Sequence, residues 1–103
     1  MRLDGAMTRQ GTTLTALRAE IDAIDDQLVG LLARRQQLVE RAASFKRDAD
    51  EVRGEERRRQ LMERLHGRAA DAGLDPKIVD AVWTAMIDAF VALELAEHAR
   101  RSG

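Results

Sequence analysis

The chain has no cysteine among its 103 residues. That excludes a disulfide framework, a thiolate zinc site and a cysteine nucleophile, and it fits a reducing compartment. Tyrosine is absent too, and one Trp and two Phe are the only aromatic side chains although 45% of the residues are hydrophobic. A core must therefore come from Leu, Ile, Val, Met and Ala, a set that favours helix over sheet. A single Pro against 34% charged residues points the same way. No apolar run nears the roughly 18 residues that span a bilayer, and the opening MRLDGAMTRQGT lacks the apolar stretch of a secretory signal. The expectation is a cytoplasmic protein with no membrane partner. Surplus charge is also missing, since 17 Lys and Arg meet 18 Asp and Glu for a net charge of −1. Without a global positive field, no nucleic-acid partner is expected, and any anion binding must be local.

What is present is helical periodicity on the scale of one domain. Residues 1–12 show no period and read as a flexible N-terminal arm, leaving a domain over 13–101. After Thr12 and Thr13, either of which can cap a helix, apolar residues fall at Leu14, Leu17, Ile21, Ile24, Leu28 and Leu31 and resume at Leu38, Ala42 and Phe45. The stripe predicts a helix to about Asp50, a rod of about 55 Å. The rest of so short a chain cannot cover such a rod, so a second copy is the expected cover. The polar DADEVRG, residues 48–54, reads as a connection. A second helix is expected from Glu55, with its acidic first turn, to a Gly73 cap, and a third from the Asp75-Pro76 start to about Arg100. The fold class is all-α, with one long and two shorter helices paired into a dimeric bundle.

Several charges stand where apolar residues are expected. The series 14, 21, 28 lands on Arg35, and no acidic residue occupies its stripe neighbours at 28, 31, 38, 39 or 42. A buried guanidinium needs a counter-charge, which a small external anion can supply. Lys46, eleven residues on, returns to within about 20° of the same direction some 16 Å along the axis. Arg18 lies about 25 Å before Arg35, too far to share one small ligand within a chain, so any functional role for it is in the partner's site. Of Arg57, Arg58 and Arg59, at most one or two can face inward. Glu94 falls on the apolar stripe of the third helix, seven residues after Ile87 and four after Phe90. Snorkelling Arg35 and Lys46, solvated Arg18 and Arg57 to Arg59, and a core Glu94 bridged to one of the arginines are the structural alternatives. His66 and His98 have no metal-ligand spacing and read as structural or surface residues, and Trp83 and Phe90 as core. No Gly-rich phosphate loop, Ser-His-Asp order or basic-aromatic interleaving occurs.

The run LTALRAEIDAIDDQLVGLLARRQQLVERAASFK resembles the first helix of the AroQ-type, all-α chorismate mutases, and ERRRQLMERL, GLDPKIVDAVW and ALELAEHARR resemble their second and third helices. The resemblance covers about residues 14 to 101, through LRxxID, LLxxR and a Lys eleven residues on. It implies an intertwined homodimer with two shared sites for a small dicarboxylate, and an isomerase that converts chorismate to prephenate in aromatic amino-acid (shikimate pathway) or secondary metabolism. Carried over, Arg18 from the partner and Arg35 hold the two carboxylates. Lys46 and Glu94 flank the ether oxygen of the breaking bond, and Arg57 lines the pocket. The reaction is unimolecular and pericyclic, so the resemblance implies no cofactor and no metal.

Two departures are visible. Many members carry Gln at the Glu94 position, and typical mutases place an acid directly after the Arg57 position, where this chain has Arg58. AASFK and the spacing from Lys46 to Arg57 also resemble the isochorismate pyruvate lyases, a sister activity yielding salicylate and pyruvate. A 4-amino-4-deoxychorismate mutase and a non-catalytic helical dimerisation module are the remaining alternatives.

Overall fold

The computed structural model describes residues 13–102, and among these every regular element is a helix. They are α1 (Leu14–Ala43), α2 (Ala49–Arg53), α3 (Glu55–Ala72) and α4 (Pro76–Ser102). The all-α expectation is met, and the expected arm over 1–12 lies outside the described residues. No helix among these residues is long and apolar enough to cross a membrane.

The start of α1 follows from Thr13, whose Oγ1 accepts the Ala16 N–H at 3.0 Å. The helix ends at Ala43 rather than near Asp50. Its last turn tightens as Ser44, Phe45 and Lys46 donate N–H bonds to Arg41, Ala42 and Ala43, each three residues back. The connection expected over residues 48–54 is in fact the short helix α2. Asp48, in extended backbone, accepts the Glu51 N–H at 2.9 Å, and Gly54 closes the helix at φ 48° by donating to the Asp50 carbonyl. Gly54 also starts α3, as its carbonyl receives the Arg58 N–H at 2.8 Å. A Cβ there meets only ordinary contacts, so Gly54→Ala is expected to cost about 1 kcal/mol through backbone strain alone. Urea unfolding of the variant measures it. Gly73 caps α3 as expected, at φ 76°. Asp75 then accepts the Lys77 N–H beside Pro76, the first residue of α4.

By backbone contacts the chain divides into two compact units, Met1–Arg35 and Gln36–Gly103. The first is helical from Leu14 on and keeps its apolar stripe in the open: Leu14, Leu17, Ile21, Ile24, Leu28 and Leu31 are all exposed. In the second unit, α4 packs against α3 and α2. Its buried apolar residues are Ala43, Val52, Leu61, Ala69, Val79 and Ile87. The end of α1 departs from the expected register. Ala43 is buried and Val39 half-buried, while Leu38, Ala42 and Phe45 are exposed. Phe45 falls beyond the helix end, so helical periodicity no longer governs where it points. Trp83 and Phe90 are half-buried along α4, in keeping with a core role.

Candidate active site

On α4 the inward positions recur at Val79, Trp83, Ile87, Phe90 and Glu94, a three-four alternation that carries a carboxyl group into the core. Glu94 is 5% exposed and is the buried charged residue of the described chain. Its Oε2 accepts a hydrogen bond from Lys46 Nζ at 2.8 Å, across 48 residues of sequence. Lys46 itself keeps 29% of its side chain open. The two residues expected beside the reacting bond are therefore brought together, one sealed by α4 and the other reaching it from the turn after α1. The structural alternative expected an arginine as the partner of a core Glu94, and the bond found here is made by Lys46 instead.

The turn that carries Lys46 is held at several points. Arg47 donates its backbone N–H to Glu51 Oε1 at 2.5 Å, and its Nε and Nη2 to Glu51 Oε2 at 3.0 and 2.7 Å. The Arg47 carbonyl accepts from His98 Nε2 at 3.1 Å. These contacts were not anticipated, although Asp48-x-x-Glu51 is a capping-box pattern and marks a helix start. The side-chain bond from Arg47, then its backbone N–H, hold the Glu51 carboxyl below the usual carboxylate range. A depressed carboxyl stabilises the fold above its unfolded pKa and loses that contribution as pH falls through the folded value. Glu51→Gln is therefore expected to lower the urea midpoint at pH 7, and the gap to the parent should close as both are acidified below about pH 4. A gap that stays constant to pH 3 would count against the carboxylate contact.

The arginines separate. Arg18 and Arg35 belong to the first unit, Arg18 exposed and Arg35 half-buried, on one continuous helix with about 25 Å of rise between them. A single chain does not bring them to one small ligand. Arg57 is exposed in the first turn of α3. Arg58 is half-buried on the line of Leu61, Leu65 and Ala69, and its Nη2 meets Asp88 Oδ1 of α4 at 2.9 Å. Arg59 pairs with Glu56 and Glu63 on its own helix. One member of the triplet thus reaches α4, as steric spacing allowed. His66 bonds Asp80 at 2.6 Å, joining α3 to α4. No cluster with metal-binding spacing is found among the described residues.

The model of chorismate mutase type II matches residues 17–95, which spans α2, α3 and both members of the Lys46–Glu94 pair. The chain belongs to the chorismate mutase type II family. That membership makes it an isomerase with a small-molecule substrate. No curated protein and no solved structure matches the chain.

Proposed function

We propose that the chain is a cytoplasmic homodimer that rearranges chorismate to prephenate, with a mutase domain over residues 13–101 and two active sites that each draw on both copies. The observation that carries this reading is the Lys46–Glu94 pair, a partly exposed cation and a buried carboxyl group at 2.8 Å. The exposed apolar stripe of α1 supports the dimer. Leu17, Ile21, Ile24 and Leu28 are each about half exposed in the single chain, and burying such side chains gains about 1.5–3 kcal/mol apiece at full burial. A second copy of the same stripe is a self-complementary cover.

In the proposed site the substrate's two carboxylates are held by Arg35 and by Arg18 of the partner subunit, with Arg57 lining the pocket. These roles rest on the family resemblance. Lys46 and Glu94 face the ether oxygen whose bond to carbon breaks as the new carbon–carbon bond forms. No group is transferred to the protein. Its task is to hold the compact conformer and to stabilise negative charge growing on that oxygen. Lys46 does the second by donating through its ammonium group. Glu94 orients Lys46, and in its protonated form it donates a further hydrogen bond to the same oxygen.

The reaction is tested by supplying chorismate and isochorismate separately and identifying the products. Prephenate supports the proposal. Salicylate with pyruvate supports the lyase, and absence of saturable binding by either dicarboxylate supports the dimerisation module. The Glu94 role has its own test. A carboxylate facing an ether oxygen repels it, whereas an amide donates. Glu94→Gln keeps an oxygen for Lys46 and supplies a permanent donor, and is expected to retain kcat, whereas Glu94→Leu is expected to lower it. Equal losses of kcat in both variants would leave Glu94 as a structural partner of Lys46.

A further inference from the structure

The contacts of the turn after α1 converge on one residue whose neighbours are both committed. The N–H of Arg47, which belongs to the peptide plane joining Lys46 to Arg47, is held by Glu51 at 2.5 Å. The carbonyl of Arg47, which belongs to the next plane, is held by His98 at 3.1 Å. On the other side, the Lys46 N–H donates to the Ala43 carbonyl at 3.2 Å. Peptide planes rotate only about φ and ψ, so pinning the planes around Lys46 fixes the base of its side chain. The tip is fixed by Glu94. Glu94 and His98 are four residues apart on α4, one above the other on the same face. Consecutive residues of the turn, Lys46 and Arg47, are therefore taken up by consecutive rungs of a single helix.

We propose that His98 is a positioning residue for Lys46: by donating from Nε2 to the Arg47 carbonyl, opposite the Glu51 bond to the Arg47 N–H, it holds the turn so that the ammonium group meets the reacting oxygen. The inference rests on the proposed catalytic role of Lys46. A backbone carbonyl only accepts, so the ring must donate through Nε2, as it does both in the neutral tautomer protonated there and in the imidazolium form. The contact consequently survives a change of charge on the ring. A lysine side chain is long and flexible, and its ion pair alone leaves many chain conformations that reach Glu94. Losing the backbone anchor should therefore spread the ammonium over positions that still pair with Glu94 but miss the oxygen. A displacement of about 1 Å can cost up to about 10²-fold in rate.

The test uses the full chain and steady-state kinetics on chorismate. His98→Ala and His98→Phe, the second keeping a ring without the donor, are expected to lower kcat about tenfold, with KM changed less than about twofold. His98→Gln supplies an amide donor and should recover most of the loss. His66→Ala removes another histidine contact between α3 and α4, with Asp80, and should leave kcat near that of the parent. In a Lys46→Ala background His98→Ala should add no further loss, because the group it positions is gone. A parental kcat in both donor-less variants, a His98→Gln variant as slow as His98→Phe, or a further loss in the Lys46→Ala background each overturns the inference. If Lys46→Ala itself keeps the parental kcat, the reading of Lys46 fails and the inference fails with it. If Lys46→Ala is slow while His98→Ala and His98→Phe are not, the inference alone fails.

Discussion

Lys46→Ala is expected to lower kcat by about 10² to 10³-fold, the usual cost of removing one preorganised donor at a developing oxyanion, while KM moves far less. The asymmetry follows from where the charge is. In the bound ground state the ether oxygen is nearly neutral and gains little from an ammonium group, whereas in the transition state it carries part of the electron pair of the breaking bond. The substitution also leaves Glu94 buried without its 2.8 Å cation, and a buried carboxyl group stripped of its partner is itself destabilising. Combining Lys46→Ala with Glu94→Gln separates the two effects. The double variant should regain the urea midpoint of the parent more closely than Lys46→Ala does, yet stay slow. An unchanged kcat with a raised KM in Lys46→Ala would move this residue from the reacting bond to general anion binding.

Mixing two inactive proteins is expected to restore activity. Arg18→Ala and Arg35→Ala should each lose about 10²-fold or more in kcat/KM, since in the proposed site each removes a charged partner of a substrate carboxylate. Refolded together, they form a heterodimer in which one site has both arginines and the other has neither. With random pairing, about a quarter of all sites are intact, which sets the ceiling of the recovery. The basis is geometric: about 25 Å of helix separates the two residues along α1. Should proven heterodimers remain as inactive as the parents, the shared site is wrong, and so is the assignment of Arg18 to the partner's ligand. Tagging one variant and recovering the untagged one with it confirms that heterodimers have formed before activity is read.

Much of the architecture was legible because helix ends are local chemistry. Thr13, Gly73 and the Asp75-Pro76 step each act within a turn of their own position, and each stands at a boundary in the structure. Asp48-x-x-Glu51 is a signal of the same kind and marks the start of α2, whereas the polarity of residues 48–54 taken alone reads as a connection. Glu94 was legible as a polar residue on an apolar line, whereas the expected helical alignment of Lys46 with Arg35 does not hold, because α1 ends at Ala43. The bond between Lys46 and Glu94 was not legible, because it joins residues 48 positions apart and depends on α1 ending early enough for Lys46 to leave the helix.

The sequence by itself therefore determined the helical class, the order of the three longer helices and the family. These are properties of composition, period and motif, which each stretch of chain carries without reference to the others. The tertiary structure alone decided that Val39 and Ala43, not Leu38 and Ala42, turn inward, and that Arg58 reaches across to Asp88 while Arg57 stays exposed. It alone brought His98 to the backbone of Arg47. Periodicity gives a helix a face but not the neighbour that face will meet, and adjacent residues on α3 point about 100° apart. Which of them is taken up is decided only when a second helix is laid against the first.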